Sequence, residues 1–462
     1  MKNTTLDVDL GLLEHYDTSG PRYTSYPSAR QFNEEVGADA FRQQIVDGHQ
    51  DNDISLYVHI PFCPNRCLFC GCHTFITRNR EKIQSYLRDL YREIRLLGNL
   101  LPDDRSVGQV HWGGGTPSYL KPDEIRALMD EIRSSFSLKD DAEVGVELDP
   151  RGMSVDQMRA FEEAGFNRVS IGVQDFDPDV QEAIKRKQSA DETGRVIHWA
   201  RKSGMNSVNL DLIYGLPHQT PETFQKTLDR ILDFNPDRMA VYNYAHVPWM
   251  KSHQKGISEQ DLPEPRTKLC LLKQSVETLS GAGYRFIGMD HFAKPDDELS
   301  RAQENGTLHR NFQGYSTRAG LDLFGLGVSG ISTLDDLYVQ NVKSLSKYRS
   351  RMEREQLATF RGYELTEEDR LRKRVIMELM CNLALDKREI EDAFDVDFNR
   401  HFRSERQQLS AFEQDGLIDQ SPDRIRIRPE GRLVIRNICM TFDEYIRTED
   451  EEERATGYSR TV

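Results

Sequence analysis

The chain lacks any apolar run near the roughly 20 residues needed to cross a bilayer. It is also short of positive charge: 61 Lys and Arg stand against 76 Asp and Glu, a formal charge of -15. Nucleic acid and membrane surfaces both call for a positive field, so neither is expected as a general partner. An anionic small substrate stays open, because a local arginine cluster can override the net charge. The opening segment, Met1 to Asp9, lacks the basic and apolar regions of a secretory signal. The seven cysteines are odd in number and show no disulfide-like spacing. Both observations predict a reducing, cytoplasmic setting. There is no sequence repeat, no coiled coil and no apolar surface helix, which leans towards a monomer.

What is present is an alternating rhythm. The 462 residues fit two or three domains. Residues 1–50 are polar and mixed. Within them, Ser19 to Pro27 carries two prolines and several hydroxyl residues, which forbids a long helix and predicts an extended arm. Apolar, β-rich runs then fall at about 55–62, 109–113, 143–148, 168–174, 207–214 and 238–245. Helical spacing fills the gaps, as in the stripe Ile83, Tyr86, Leu87, Leu90, Ile94 and Leu97. Pro122 and Thr220-Pro221 mark helix starts. Six strands alternating with helices predict βα units, a parallel sheet and a partial (β/α)6 TIM-like barrel.

Such barrels carry their chemistry at the C-terminal strand ends. Here those ends lead into the cysteines, Trp112 to Pro117, Glu147-Leu-Asp149, Gln174-Asp175, Asp211 to Pro217 and Tyr244-Ala-His246. Polar or glycine-rich residues recur at the same end each time. From about residue 365 the pattern becomes helical, near 367–383, 387–394 and 400–414. A hairpin over 415–431 follows, which predicts a small winged-helix-like domain. Arg424, Arg426 and Arg428 suit either a nucleic-acid wing or the solvent face of a strand whose Ile425 and Ile427 point inward. Residues 448–454 read as a solvated acidic tail. The division is therefore 1–50 arm, 51–350 catalytic barrel with its extension, and 351–462 C-terminal domain.

Four of the seven cysteines fall within ten residues, Cys63, Cys67, Cys70 and Cys72, directly after the first strand. A structural zinc site would want a second pair downstream, and none follows. A redox C-x-x-C pair would leave Cys63 surplus. A four-cysteine cluster closed by Cys72 is a third option. Three thiolates on one tight loop, holding three irons of a cubane and leaving the fourth open, is the reading favoured here. Cys72 is poorly placed to close the same cube and more naturally lines the site. His73 reads as a surface residue, and Cys270, Cys381 and Cys439 as buried thiols.

The C-x3-C-x2-C run after a barrel strand resembles the radical S-adenosylmethionine (SAM) superfamily, and Gly113 to Pro117 resembles its glycine loop. Segments at 20–27, 57–63, 67–72, 111–117, 172–176, 211–217, 243–246, 287–292, 309–315 and 436–440 narrow the resemblance to the oxygen-independent coproporphyrinogen III oxidases. His73-Thr74 depart from the Asn-Lys pair associated with that position. The resemblance implies one 4Fe–4S cluster on Cys63, Cys67 and Cys70, and two SAM molecules. For the first SAM it implies Tyr57 against the ligand beside the cluster, Gly114 at the methionine end, Glu147 at the ribose or ammonium, and Ile331 at the adenine. For the second SAM it implies Phe69, Cys72, Gly115, Thr116, Gln174, Arg186, Asp211 and Ala245. Plainer roles compete at several of these: a tight turn at Gly113 to Gly115, barrel-mouth salt bridges at Glu147 and Asp211, and a surface helix charge at Arg186.

The implied reaction removes hydrogen from two propionates of coproporphyrinogen III by a 5′-deoxyadenosyl radical. Carbon dioxide and one further electron leave each propionate radical, a vinyl group forms, and protoporphyrinogen IX results. A low-potential electron donor, such as a flavodoxin or a reductase system, is implied as partner. The four substrate propionates need placed cations. Arg22 is the candidate, with Tyr23 stacking on a pyrrole; alternatively Arg22 only staples the arm. A haem chaperone of the same superfamily is the alternative function, although such a protein would lack the arm and Cys72. A cluster-bearing regulator is a third.

Overall fold

The computed structural model describes residue 6 and residues 8–47, 52–102, 105–449, 454 and 457–461. The expected boundary at 50/51 and most of the acidic tail at 448–454 lie outside the described residues.

The six expected strands form where the apolar runs fall: β1 Ile54–Ile60, β2 Ser106–Gly114, β3 Ser137–Leu148, β4 Arg168–Gln174, β5 Ser207–Tyr214 and β6 Arg238–Asn243. Each lies parallel to the next in chain order. Strand β1 is buried at every position but Tyr57, as a parallel strand covered on both faces must be. The crossover helices carry the predicted stripes and caps. In Arg80–Gly98, Ile83, Tyr86, Leu87, Leu90, Ile94 and Leu97 are all buried. Pro122 opens Pro122–Ser135, and the Glu124 carboxylate accepts the Lys121 amide at 2.8 Å. Thr220 caps Pro221–Phe234 by accepting the Thr223 amide at 3.2 Å.

The sheet is wider than six strands. Among the described residues it has twelve. Asp322–Leu326 adds a further parallel strand beside β1, and Ile331–Leu334, Leu337–Asn341 and Thr359–Glu364 continue it antiparallel. His291–Ala293 and Arg285–Gly288 extend the β6 side. The boundary expected at 350/351 is therefore corrected: the main sheet runs to Glu364. Helix Leu345–Glu353 belongs with the barrel, because Tyr348 donates to Glu93 at 2.6 Å and Arg349 reaches Asp89 at 3.2 Å, both on Arg80–Gly98.

The C-terminal part has the winged-helix arrangement. Glu367–Asn382, Lys387–Phe394 and Arg403–Gln414 pack with a small sheet of Ala384–Asp386, Arg424–Ile427 and Ile418–Gln420. The helix expected over 400–414 breaks at Phe402, whose ring packs against Phe398 and Phe442. Ile425 and Ile427 are buried while Arg424, Arg426 and Arg428 are exposed. Arg424 pairs with Asp386 at 3.2 Å and Arg428 with Asp419 at 2.8 Å, so the wing is a salt-bridged solvent face. Cys381 and Cys439 are buried as expected; Cys270 is only half-buried, because its helix Pro265–Gly281 turns that side partly outward.

The arm threads between barrel and C-terminal segment. Arg436 donates from Nε to the Pro21 carbonyl at 2.9 Å and also grips the Gly20 carbonyl. Tyr338 donates to the Tyr26 carbonyl at 3.0 Å. Among the described residues, no helix is long and apolar enough to cross a membrane.

Candidate active site

The cysteine loop is held by its surroundings rather than by itself. Gly115 and Thr116 donate their amides to the carbonyls of Ile60 at 2.8 Å and Phe62 at 3.0 Å, which clamps the glycine loop beside Cys63. A side chain on Gly115 would meet that backbone at 2.8 Å, and Gly114 adopts φ +108 against the His59 ring. The glycines are required by this close approach. On the other side, Leu68 donates to the Ile184 carbonyl at 2.9 Å, and His253 Nε2 lies 2.8 Å from the Cys70 carbonyl.

The three cysteines open into a cavity of about 180 Å³. The Thr116 hydroxyl lies 3.2 Å from Cys63 Sγ. Arg151 and Arg186 approach Cys67 Sγ at 3.5 and 3.8 Å, and both also hold Asp149, at 2.6 and 3.1 Å. The two guanidiniums prevail over burial and hold the Asp149 carboxyl below its usual range. Cys70 is pulled down to about 6, first by a hydrogen bond from the Cys72 thiol. Burial pushes Cys63 up to about 11. Further along the wall, Asp211 accepts from Ser170 at 2.9 Å and Asn209 at 2.8 Å; burial nonetheless raises it to about 6.

A second cavity of about 310 Å³ adjoins the first, and Cys72, Gly114 and Glu147 line both. Tyr57, His59, His111, Phe312 and Ile331 complete much of its wall. Glu147 accepts the Gly114 amide at 3.1 Å and lies 3.4 Å from His111 Nε2. Burial opposes its charge, but these donors hold the carboxyl below its usual range. Burial drives His59 down to about 4, so it is neutral: Nε2–H donates to the His73 carbonyl at 2.9 Å, and Nδ1 accepts from the Tyr57 hydroxyl at 3.1 Å.

The structure thus gathers Cys63, Cys67, Cys70, Phe69, Cys72, Gly114, Gly115, Thr116, Glu147, Gln174, Arg186 and Asp211 around the first cavity, and Tyr57 and Ile331 around the second. Gly115, Thr116, Gln174, Arg186 and Asp211 share the cysteine cavity, while Tyr57 and Ile331 line the adjoining one; Gly114 and Glu147 line both. The reason is the glycine clamp, which ties Gly115 and Thr116 to the residues just before Cys63, whereas Tyr57 lies further down β1. Ala245 walls neither cavity; its carbonyl accepts from Gln254 at 3.3 Å. Arg186 is buried and bonded to Asp149 and to the Gly172 carbonyl at 2.8 Å, so it is no surface charge.

Tyr23 is also corrected. It is 2 % exposed, with its hydroxyl on Asp443 at 2.9 Å, and packs in the core, where no pyrrole can stack on it. Arg22 is ion-paired with Asp290 and lies 5.7 Å from the Tyr242 ring centroid. Asp149, read only as part of a polar strand end, lines the cysteine cavity; Arg151, His59, His111 and Ser170 were missed as site residues, and Arg151 and Ser170 carry no distinguishing sequence signal.

The donor set fits a cluster. Among the described residues, no three His, Cys, Asp or Glu side chains close around a single ion. Three thiols spaced along one loop and facing one cavity suit a cubane, each iron taking one thiolate. The adjoining Glu147, Asp211 and Arg186 match a ligand that bears an amine, hydroxyls and a carboxylate.

Comparison with known proteins agrees. Residues 57–231 match the radical SAM superfamily, and residues 365–434 match the HemN C-terminal domain. Fold and site together define a radical SAM protein, with one 4Fe–4S cluster and SAM as cofactors. The oxygen-independent coproporphyrinogen III oxidase of Salmonella typhimurium is 45 % identical over 462 residues, covering 100 % of both chains. That of Pseudomonas aeruginosa is 46 % identical over 448 residues, covering 96 % of this chain and 97 % of its own. The solved structure of the Escherichia coli coproporphyrinogen III oxidase, HemN, superposes with a TM-score of 0.92 at 44 % identity, over 96 % of this chain and 100 % of that one. The chain belongs to the oxygen-independent coproporphyrinogen III oxidase family.

Proposed function

We propose that this chain is a radical SAM oxidoreductase of haem biosynthesis that decarboxylates two propionates of coproporphyrinogen III, giving protoporphyrinogen IX without oxygen. The observation that carries this reading is the pair of adjoining cavities, one holding the three cysteines and both lined by Cys72, Gly114 and Glu147.

When bound and reduced, the cluster and SAM supply the carbon radical that takes a hydrogen atom from a propionate. The residues of the chain bind, orient and screen. Cys63, Cys67 and Cys70 would hold three irons of the cluster. Arg151 and Arg186 lie close to Cys67, where positive charge and hydrogen bonds to sulfur tune cluster potential. Arg186 also suits the methionine carboxylate. Asp211 and Gln174 suit ribose hydroxyls or an ammonium. Glu147 stands between the cavities and can serve a ligand in either; two SAM molecules, one per cavity, accord with that position. Gln174 at φ +68 keeps an uncommon backbone conformation at the strand end, a cost found at sites that need a side chain placed accurately. Cys72 lines the site as donor to Cys70 rather than as a fourth iron ligand.

The same reading assigns the arm to the substrate side, the barrel to the radical chemistry and the C-terminal helical part to holding the arm. It calls for an external low-potential one-electron donor, an acceptor for the electron that each substrate radical releases with carbon dioxide, and a monomeric, cytoplasmic enzyme. The test is anaerobic reconstitution of the cluster, then reductant, SAM and coproporphyrinogen III. Vinyl product forming together with 5′-deoxyadenosine is expected. SAM cleavage without decarboxylation, or tight haem binding without turnover, would sink the proposal and favour another radical reaction or a haem chaperone. Cys72→Ser should keep full cluster iron while weakening SAM binding; loss of iron would make Cys72 a ligand.

A further inference from the structure

The segment that follows β6 folds back over the cysteine loop. Gln254 donates to the Phe69 carbonyl at 3.0 Å, His253 Nε2–H to the Cys70 carbonyl at 2.8 Å, and Lys251 to the Cys72 carbonyl at 3.3 Å. The same segment presents Trp249 and Met250 to solvent, 59 % and 63 % exposed. Single apolar side chains scattered over a surface are ordinary, but neighbouring large ones in water mark a contact surface.

Positive charge surrounds the pair. Arg66 is exposed on the cysteine loop, and its Nη1 donates to His253 Nδ1 at 3.4 Å. Lys255 is exposed two residues after His253, in the short helix Ser252–Gly256. Gly256 packs on Leu68: a side chain there would meet the Leu68 methyls at 3.2 Å. Lys185 is exposed next to Ile184, whose carbonyl takes the Leu68 amide at 2.9 Å. Together with Lys251 these cations stand around one loop, and among the described residues none of them forms an ion pair with a carboxylate. Carboxylates that flank them in sequence are turned elsewhere: Glu182 pairs with Lys187, and Glu259 lies 4.0 Å from His246. In a chain of formal charge -15, the sign is reversed locally, directly over the cysteines.

We propose that this surface, Trp249 and Met250 ringed by Arg66, Lys185, Lys251 and Lys255, docks the acidic protein that delivers electrons to the cluster. The inference rests on the function proposed above, which requires an external one-electron donor. At each docking the carrier is oxidised by one electron and the cluster is reduced by one. The patch suits that task in three ways. Its charges steer and orient an acidic carrier, which the net negative charge of the remaining chain repels. Its apolar centre gives up water on contact. His253 joins the patch to the Cys70 carbonyl, so a single side chain separates the surface from a cluster ligand.

The test uses the cluster-loaded full chain with flavodoxin, an acidic one-electron carrier. Two readouts are followed: binding of the oxidised carrier by calorimetric titration, and the rate at which the photoreduced carrier reduces the cluster. Lys185→Glu and Lys255→Glu should each weaken binding and slow reduction by about threefold to tenfold at low ionic strength. Added salt should narrow the gap between wild type and these variants. Met250→Ser should weaken binding by a similar factor that salt leaves unchanged. Cluster iron, and reduction by dithionite, which needs no docking surface, should match wild type throughout. If one charge variant fails to load its cluster, the other decides, since the two lysines lie on separate loops. Unchanged binding and rate in the deciding variant, or an equal slowing with dithionite, overturn the proposal. A raised KM for coproporphyrinogen III with unchanged reduction gives the patch to the substrate and overturns it as well. A wild type that takes electrons from flavodoxin but makes no vinyl product overturns the function instead and leaves the docking surface standing.

Discussion

The cysteine cavity and the seam between the arm and the antiparallel hairpin of His309–Asn311 and Gly314–Ser316 handle charge in opposite ways. Around the cysteines each cation meets an acceptor: Arg151 and Arg186 share Asp149, and Glu147 takes an amide and a histidine. At the seam, Arg22, Arg310 and Arg436 crowd together; Asp290 pairs with Arg22, while Arg310 Nε and Nη1 are buried without a partner among the described residues. The first region is preorganised to hold a cofactor that stays. The second gathers three guanidiniums within reach of one another.

The sharpest break of that comparison is at the cysteines. Replacing Cys63, Cys67 or Cys70 by Ala should abolish turnover and bring cluster iron in reconstituted protein close to zero; retained iron would return the loop to a redox or structural role. Arg436→Met comes next. Removing a buried guanidinium that grips four carbonyls should destabilise the fold by about 3 kcal/mol or more, measured by urea unfolding. The cysteine loop should keep its iron where the arm is loosened, since the two regions share no bond to Arg436.

Asp211 gives a graded effect. It sits at about 6 against an ordinary value near 4, because burial favours the neutral acid. The folded state holds this proton longer than the unfolded chain, so this group's contribution to stability falls as pH rises from about 4 to about 6. Binding of a cationic SAM should strengthen over about pH 5 to 7 as the carboxylate forms. Asp211→Asn should weaken SAM and flatten that dependence, read by equilibrium titration across the range. The smallest effect belongs to the wing. Arg426→Ser should change stability by less than about 0.5 kcal/mol and leave turnover untouched. A lost nucleic-acid interaction there would revive the regulatory reading.

Much of this was open to reading from residues alone. The six parallel strands, the stripe from Ile83 to Leu97, the buried Ile425 and Ile427, and the cysteine and glycine loops all express periods or spacings that local chemistry imposes. The flanking strands beyond the six were not read, because Asp322–Leu326 and Thr359–Glu364 are short and gain their identity from the neighbours they pair with. Tyr23 was misread because its environment depends on Asp443, far along the chain. Arg22 and Arg310 look alike in sequence; what separates them is Asp290.

The sequence by itself determined the period-two and helical patterns, the three-cysteine spacing and the polar strand ends, since these follow from repeats within a few residues. Only the tertiary structure decided that Gly115, Thr116 and Arg186 share the cysteine cavity, that Tyr57 belongs to the adjoining one, and that Arg310 stands unpaired. Those facts depend on which distant side chains meet in a water-poor interior. There, a single missing partner changes what a charged residue is able to bind.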